Sequence, residues 1–233
     1  MKCKYTIFSE CGQRRNNQDY WQIVEQTAED RTLFVVCDGM GGHSMGEVAS
    51  EAVGKAVCDF WSKNIHRKDT LEKVEEACRY AFLALNKRAD ELRRVEMGTT
   101  LVLASVESNQ VTIAHCGDSR CYLLRPGEGT IYRTKDHVGL SFGWEVVTNC
   151  FFSYREEAAV SEVRQFELQQ GDRLFLCTDG VYKATSPEIL EARLQDDKTL
   201  EDVVDVLTFL CEKNSDDNYT GILLENFVDY ENK

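Results

Sequence analysis

Apolar and polar residues are arranged in three ways along the chain, and each predicts a different kind of element. Residues 4 to 36 carry short runs of β type, "KYTIF", "YWQIVEQ" and "TLFVV", which predict strands. The period then lengthens, predicting helices over about 45 to 64 and 69 to 94. In the second of these, Leu71, Val74, Cys78, Phe82, Leu85, Ala89 and Leu92 stand three or four apart. They form one apolar stripe, so this helix packs by one face against something flat. Four β-type runs follow, "TTLVLASV", "QVTIAHC", "RCYLLRP" and "TIYRT", joined by "ESN", "GDS" and "GEG". Links this short predict antiparallel hairpins.

Residues 139 to 160 have no clean period, and their aromatic cluster "CFFSY" reads equally as an edge strand or a loop. Beyond them "EVRQFEL", the turn "QQGD" and "RLFLC" predict another hairpin. A helix near 199 to 213 follows, with Leu200, Val203, Val204, Leu207 and Leu210 on one face, and then a last strand, "YTGILLEN". Strands in runs and helices in pairs indicate an α+β fold of antiparallel sheets covered by helices. The alternating rhythm of a doubly wound sheet is absent.

Composition narrows the function classes. A length of 233 residues with 42% apolar residues fits a single domain, 1–233. The formal charge of −13 argues against nucleic acid as a partner, because such binding draws on lysine and arginine at phosphates. No apolar stretch approaches the ~20 residues that cross a bilayer, and "MKCKYTIFSE" lacks the apolar core of a secretion signal, so a cytoplasmic protein without a membrane partner is expected. The ten cysteines form no CxxC pair and several lie inside apolar runs, which predicts reduced, buried thiols.

The chemistry is carried by aspartates at the ends of strands. "TLFVVCDG" ends in Asp38 and Gly39, "RLFLCTDG" in Asp179 and Gly180, and "VTIAHCGDS" reaches Asp118. Asp217 stands just before the last strand, and Asp19 just before "YWQIV". Any one of them is an ordinary turn or cap. Several such strands delivering carboxylates to one place would need a cation among them. Oxygen ligands without a histidine or thiolate pattern suit magnesium or manganese and not zinc. His43, His66, His115 and His137 show no ligand spacing, and His115 reads as a core or sheet residue. The stretch "GMGGHSMG" has neither the lysine of a Walker loop nor the sixth-position glycine of a dinucleotide fingerprint. Its glycines suit close approach instead: Gly39 can offer a carbonyl to an ion held by Asp38, and Gly41 and Gly42 let the chain turn into a helix.

Seven motifs, "GQRRNNQD" (12–19), "DGMGGHSMGEVAS" (38–50), "GTTL" (98–101), "GDSRCYLLRPG" (117–127), "KDH" (135–137), "GDRLFLCTDGV" (171–181) and "DDNYT" (216–220), occur in that order over nearly the whole chain. Together they resemble the metal-dependent serine/threonine protein phosphatases of type 2C, in their bacterial form. The resemblance implies two antiparallel sheets packed face to face with pairs of helices outside, a four-layer αββα sandwich, and a binuclear manganese or magnesium centre at one end. It implies that Asp38 bridges both ions, Gly39 adds its carbonyl to one, and Asp179 and Asp217 hold the other. Asp19 would act near the second ion through water, and Asp118 matches the residue that holds an additional third ion. A hydroxide between the ions would attack phosphorus in line, hydrolysing phosphoserine or phosphothreonine without a covalent intermediate. Arg14 matches the phosphate-binding arginine, in preference to Arg15, and its planar fork can hold two phosphate oxygens. The implied partners are a phosphorylated protein and a counterpart serine/threonine kinase, and the chain is expected to be a monomer.

Three departures stand out. Gln18 replaces the glutamate that most members carry before the first motif's aspartate. Met40 stands where some eukaryotic members use a histidine as general acid, which leaves the general acid unassigned. The segment after "KDH", about 139–160, is a shortened flap that matches poorly, and loops beside a rigid site commonly select substrates. Gln18 keeps an oxygen but loses a charge, which weakens the inference of activity without removing it, and Gln18 and the short flap also fit another class, a pseudophosphatase that binds a phosphoprotein without turning it over. A structural calcium domain fits less well, because the carboxylates are spread along the chain instead of packed in one loop.

Overall fold

The apolar runs become two five-stranded antiparallel sheets in the computed structural model, which describes residues 2–26, 30–40, 45–159 and 161–227. The strands are β1 (Lys2–Glu10), β2 (Asp19–Gln26), β3 (Arg31–Asp38), β4 (Gly98–Thr99), β5 (Leu101–Glu107), β6 (Gln110–Cys116), β7 (Arg120–Arg125), β8 (Gly129–Arg133), β9 (Val138–Ser141), β10 (Trp144–Val147), β11 (Phe151–Phe152), β12 (Glu162–Glu167), β13 (Arg173–Cys177) and β14 (Tyr219–Phe227). The helices are α1 (Gly46–Lys63), α2 (Leu71–Glu91), α3 (Asp179–Tyr182), α4 (Pro187–Leu194) and α5 (Leu200–Asn214). One sheet has the order β1-β14-β13-β7-β8 and the other β12-β6-β5-β3-β2.

The central strands are apolar on both faces because both faces are covered. Phe34 and Val36 of β3 point into the layer between the sheets, where they meet Leu123, Leu176 and Ile222. Leu33, Val35 and Cys37 point the other way, onto Val53, Trp61 and Leu85 of α1 and α2. On the far side Phe175 and Leu223 pack under Leu190 of α4 and Leu207 of α5. The layers therefore run helices, sheet, sheet, helices, as the family resemblance implies. All ten cysteines are free thiols, and eight of them are buried.

Two of the expected hairpins are not hairpins. The link "GDS" carries the chain from β6 in one sheet to β7 in the other, and "QQGD" carries it from β12 to β13 across the same gap. Alternation tells which residues share a face of a strand, but it does not name the partner strand, and a three-residue link can step between sheets at the end of a sandwich. Gly117 makes the first step at φ +103°, with Thr100 lying 2.6 Å from where its Cβ would be. The helical stripe holds for Val74, Cys78, Leu85 and Ala89, with Phe82 and Leu92 half-buried, but Leu71 is 55% exposed. Leu71 is the first residue of α2, just after the Thr70 cap, and points out of the layer. Lys73 is buried in its stead, with Nζ 2.7 Å from Asp69 and 4.4 Å from the centre of the Trp61 ring.

The segment after "KDH" forms the hairpin β9–β10, and "CFFSY" contributes β11, a two-residue strand paired with β4. The hairpin is apolar and exposed at Leu140, Phe142 and Trp144. Neither α3 nor α4 was expected. α4 has a readable start, since Ser186 caps it through the Ile189 amide and Pro187 takes the first helical position, but its periodicity is weak.

Candidate active site

Asp19 opens β2 and Asp38 closes β3, and the two are direct antiparallel partners. Cβ atoms of such pairs stand about 5 Å apart, so the register alone brings two carboxylates together. The "GTTL" motif fixes the second of them: the Asp38 amide donates to Thr100 Oγ1 at 2.9 Å, while its carbonyl accepts from the Thr100 amide at 2.9 Å and from Thr99 Oγ1 at 2.8 Å. Gly39 is pressed so closely against α1 that a Cβ would lie 2.2 Å from the Gly46 carbonyl oxygen.

Asp118 arrives on the "GDS" crossing and Asp179 on the first residue of α3. Beside it a Cβ on Gly180 would lie 1.9 Å from the Asn218 carbonyl oxygen, so only glycine lets α3 approach β14. Thr178 Oγ1 donates to Asp19 Oδ2 at 2.9 Å, and Lys183 Nζ donates to Asp179 Oδ2 at 2.7 Å. Asn218 pins the first motif to the last: Nδ2 donates to the carbonyls of Cys11 and Asn16, and Oδ1 accepts from the Gln18 amide. Arg14 Nη2 donates to Asp217 Oδ2 at 2.9 Å and its Nε to the Asp216 carbonyl at 2.9 Å.

These elements enclose a pocket of about 430 Å³ whose walls are Arg14, Asp38, Gly39, Met40, Thr100, Asp118, Val147, Asp179 and Asp217. Asp19 lies just beneath, close enough to feel the charges of Asp179 and Asp217. Arg15 is exposed and outside the lining. Gln18 is outside it too, its side-chain amide donating to Glu47 Oε2 at 3.1 Å on α1. Gly41, Gly42 and His43 lie outside the described residues. The sequence pattern assigns no individual role to the partner residues Glu47, Thr100, Lys183 and Asn218. The nearest signal for Lys183 is its spacing of four from Asp179, which matters only once the segment is known to be helical.

The electrostatics are those of carboxylates crowded in a buried place. Burial, then Asp19, Asp179, Asp118 and Asp217, hold the Asp38 carboxyl well above its ordinary range. Burial pushes Asp19 up to about 7 against the hydroxyls of Thr220 and Thr178, with Asp179 and Asp217 adding to the rise. Asp118 is pushed up to about 6 by burial and then Asp179, while Lys183 opposes both. Burial also raises Asp217, against the Asn218 amide and Arg14. Such a donor set, all oxygen and mutually repelling, fits hard divalent cations, whose charge would restore the ionised forms.

Among the described residues one trio of side chains has its ligand atoms within 4.8 Å of one another, and it is a different one: His115, His137 and Glu162. The two imidazoles are stacked at 4.6 Å and 10°. Their lone pairs run in parallel planes and do not converge on one ion. His115 is fully buried in β6, as its sequence context predicts, with Nε2 2.8 Å from the Lys135 carbonyl. The aspartates are spread more widely than that trio.

A family model described as protein phosphatase 2C matches residues 9–225. The chain belongs to the protein phosphatase 2C family. This phosphatase 2C chain is 32% identical to the serine/threonine phosphatase stp of Listeria monocytogenes, with 91% of each covered. It is 29% identical to the serine/threonine protein phosphatase PstP of Mycobacterium tuberculosis, over 94% of this chain and 43% of that one. Among solved structures, the PstP catalytic domain in complex with two manganese ions superimposes with a TM-score of 0.78 at 28% identity, covering 97% of this chain and 99% of that one. Stp1 of Staphylococcus aureus superimposes with a TM-score of 0.82 at 25% identity, covering 98% and 96%.

The carboxylate cluster gives this phosphatase 2C chain a defined pH response. A carboxylate whose folded pKa is raised contributes stability that is complete below the ordinary range near 4 and lost as pH rises through the folded value. For Asp118 and Asp19 those values are about 6 and about 7. The chelated protein is expected to melt at a lower temperature at pH 8 than at pH 6, and saturating Mn²⁺ to raise the melting temperature more at pH 8. Differential scanning fluorimetry in chelator and in Mn²⁺ checks both; a manganese shift of equal size at the two pH values would contradict the assignment.

Proposed function

We propose that the chain is a metal-dependent phosphatase that hydrolyses phosphoserine and phosphothreonine in proteins, with two manganese or magnesium ions at the carboxylate end of the sandwich. The observation that carries this reading is the convergence of Asp19, Asp38, Asp118, Asp179 and Asp217, from five separate segments, on one pocket rimmed by Arg14. Asp38, the Gly39 carbonyl, Asp179 and Asp217 would hold the ions, and Asp19 would act close by. When bound, two such ions supply an acidified water as nucleophile and neutralise charge on the phosphoryl oxygens.

The remaining work falls to the protein. Arg14 lines the pocket with its Nε and Nη2 held by the Asp216 carbonyl and Asp217, and its remaining donors would meet the phosphoryl oxygens. Thr99 and Thr100 hold Asp38 in place, and Thr178 orients Asp19. The hairpin β9–β10 stands as a short flap whose Val147 walls the pocket, within one catalytic domain spanning 1–233. A phosphorylated protein is the substrate, and a serine/threonine kinase its natural counterpart. None of the helices among the described residues is long and apolar enough to cross a membrane. The inactive reading loses its motive at Gln18, whose side-chain amide is engaged by Glu47 outside the pocket lining.

The test is release of phosphate from a phosphothreonine peptide. Turnover is expected with Mn²⁺, is expected to vanish in excess chelator, and should return when Mn²⁺ is restored. A rate indifferent to chelator would overturn the metal reading, and no turnover under any metal would favour the pseudophosphatase.

A further inference from the structure

Lys183 is the one cation in direct contact with Asp179 among the described residues, and both its backbone and its side chain return to that residue. It follows α3, its amide donates to the Asp179 carbonyl at 2.9 Å, and its Nζ lies 2.7 Å from Asp179 Oδ2. A lysine four residues from an aspartate on a solvated helix contributes little. This pair is solvated on one side only: the Lys183 side chain is 54% exposed, but the Asp179 side chain is 17% exposed and walls the carboxylate pocket. The same ammonium is within electrostatic reach of Asp118 and of Glu145 on the hairpin strand β10. One compact, singly charged donor thus contacts Asp179 and feels two further carboxylates.

An ammonium is chemically suited to that place. It carries three hydrogen-bond donors and a localised charge, and it cannot diffuse away. The family resemblance gives Asp118 to an additional, third ion, and Asp118 lines the pocket within electrostatic reach of Asp179. A divalent cation arriving there would have to displace the ammonium or share the edge with it. Two positive groups so close repel, even with the screening that an exposed ammonium receives from solvent.

We propose that Lys183 is a tethered cation that closes the Asp118–Asp179 edge to a third metal ion, so that this chain works with two. The inference rests on the metal-centre reading above. Lys183 is here a positioning residue: it holds Asp179 and offsets Asp118, and it touches neither the phosphoryl group nor the attacking water.

The test counts ions. Mn²⁺ binding to the full chain is measured by calorimetry and by the electron paramagnetic resonance signal of free Mn²⁺, for the parent protein, Lys183→Met and Lys183→Arg. The parent and Lys183→Arg are expected to saturate at two ions. Lys183→Met is expected to take up a third, or to bind its weakest ion on the order of tenfold more tightly, well within the Coulomb energy of a unit charge at this range. The Lys183 side chain is 54% exposed, so loss of the fold is not expected; Lys183→Gln, with circular dichroism on each variant, serves if methionine proves insoluble. Identical stoichiometry and affinity in the parent and Lys183→Met, or three ions in the parent, would overturn the inference while leaving the metal-centre reading of Asp38 and the phosphatase activity intact. A parent protein that binds no Mn²⁺ would sink both readings together.

Discussion

Asp38→Asn is expected to lower kcat/KM toward a phosphothreonine peptide by about 10³-fold or more, at the upper end of what removing one transition-state stabilising group costs. It is also expected to raise the melting temperature of the chelated protein. Both follow from one fact: Asp38 is buried among Asp19, Asp179, Asp118 and Asp217, so its ionised form is unfavourable in the folded chain until cations arrive. Asparagine keeps the shape and the backbone bonds to Thr99 and Thr100 but removes the charge that two ions would share. Steady-state kinetics in Mn²⁺ and thermal melts in chelator separate the two effects. A variant that is inactive yet more stable without ions rules out misfolding as the cause. One that keeps near-parental turnover would remove Asp38 from the centre of the mechanism.

Arg14→Ala is expected to cost about 10²-fold in kcat/KM, the scale of losing one well-placed donor to a phosphoryl oxygen. Arg14→Lys should recover only part of that, because an ammonium is a point charge where the guanidinium is a fork. Weaker competitive inhibition by inorganic phosphate should accompany the loss. Mn²⁺ affinity should not fall, since Arg14 engages Asp217 Oδ2 and its removal frees that oxygen. If manganese binding collapsed with Arg14→Ala while phosphate inhibition stayed constant, Arg14 would be a structural brace for Asp217 and not a phosphate ligand.

Much of this site is legible in the amino-acid sequence, for a physical reason. A run such as "LFVVC" is too apolar to be exposed, so an aspartate at its end is delivered to an interior boundary, where it needs a cation or a partner. Four more carboxylates at strand ends repeat the signal. The partners of strands cannot be read in the same way. "GDS" and "QQGD" are links of hairpin length, yet each crosses from one sheet to the other, because alternation encodes faces and not neighbours. That crossing is what lifts Asp118 to the pocket. Lys183 is hidden for a related reason: its contact with Asp179 depends on a single helical turn, α3, in a segment that reads as the end of a strand. The preference for Arg14 over Arg15 comes from a motif; in the structure Arg14 lines the pocket and reaches Asp217, 203 positions away.

That separation has a consequence for the order in which the protein is made. β1 pairs along its length with β14, Asn218 staples the loop that carries Arg14, and Asp217 receives the arginine itself. A nascent chain that has already exposed Asp19 and Asp38 therefore has no working pocket until residues 217 and 218 leave the ribosome. Closing so long a loop is slow relative to forming helices and local hairpins. Activity should consequently appear all at once, when residues 217 and 218 join the first motif, and not by stages.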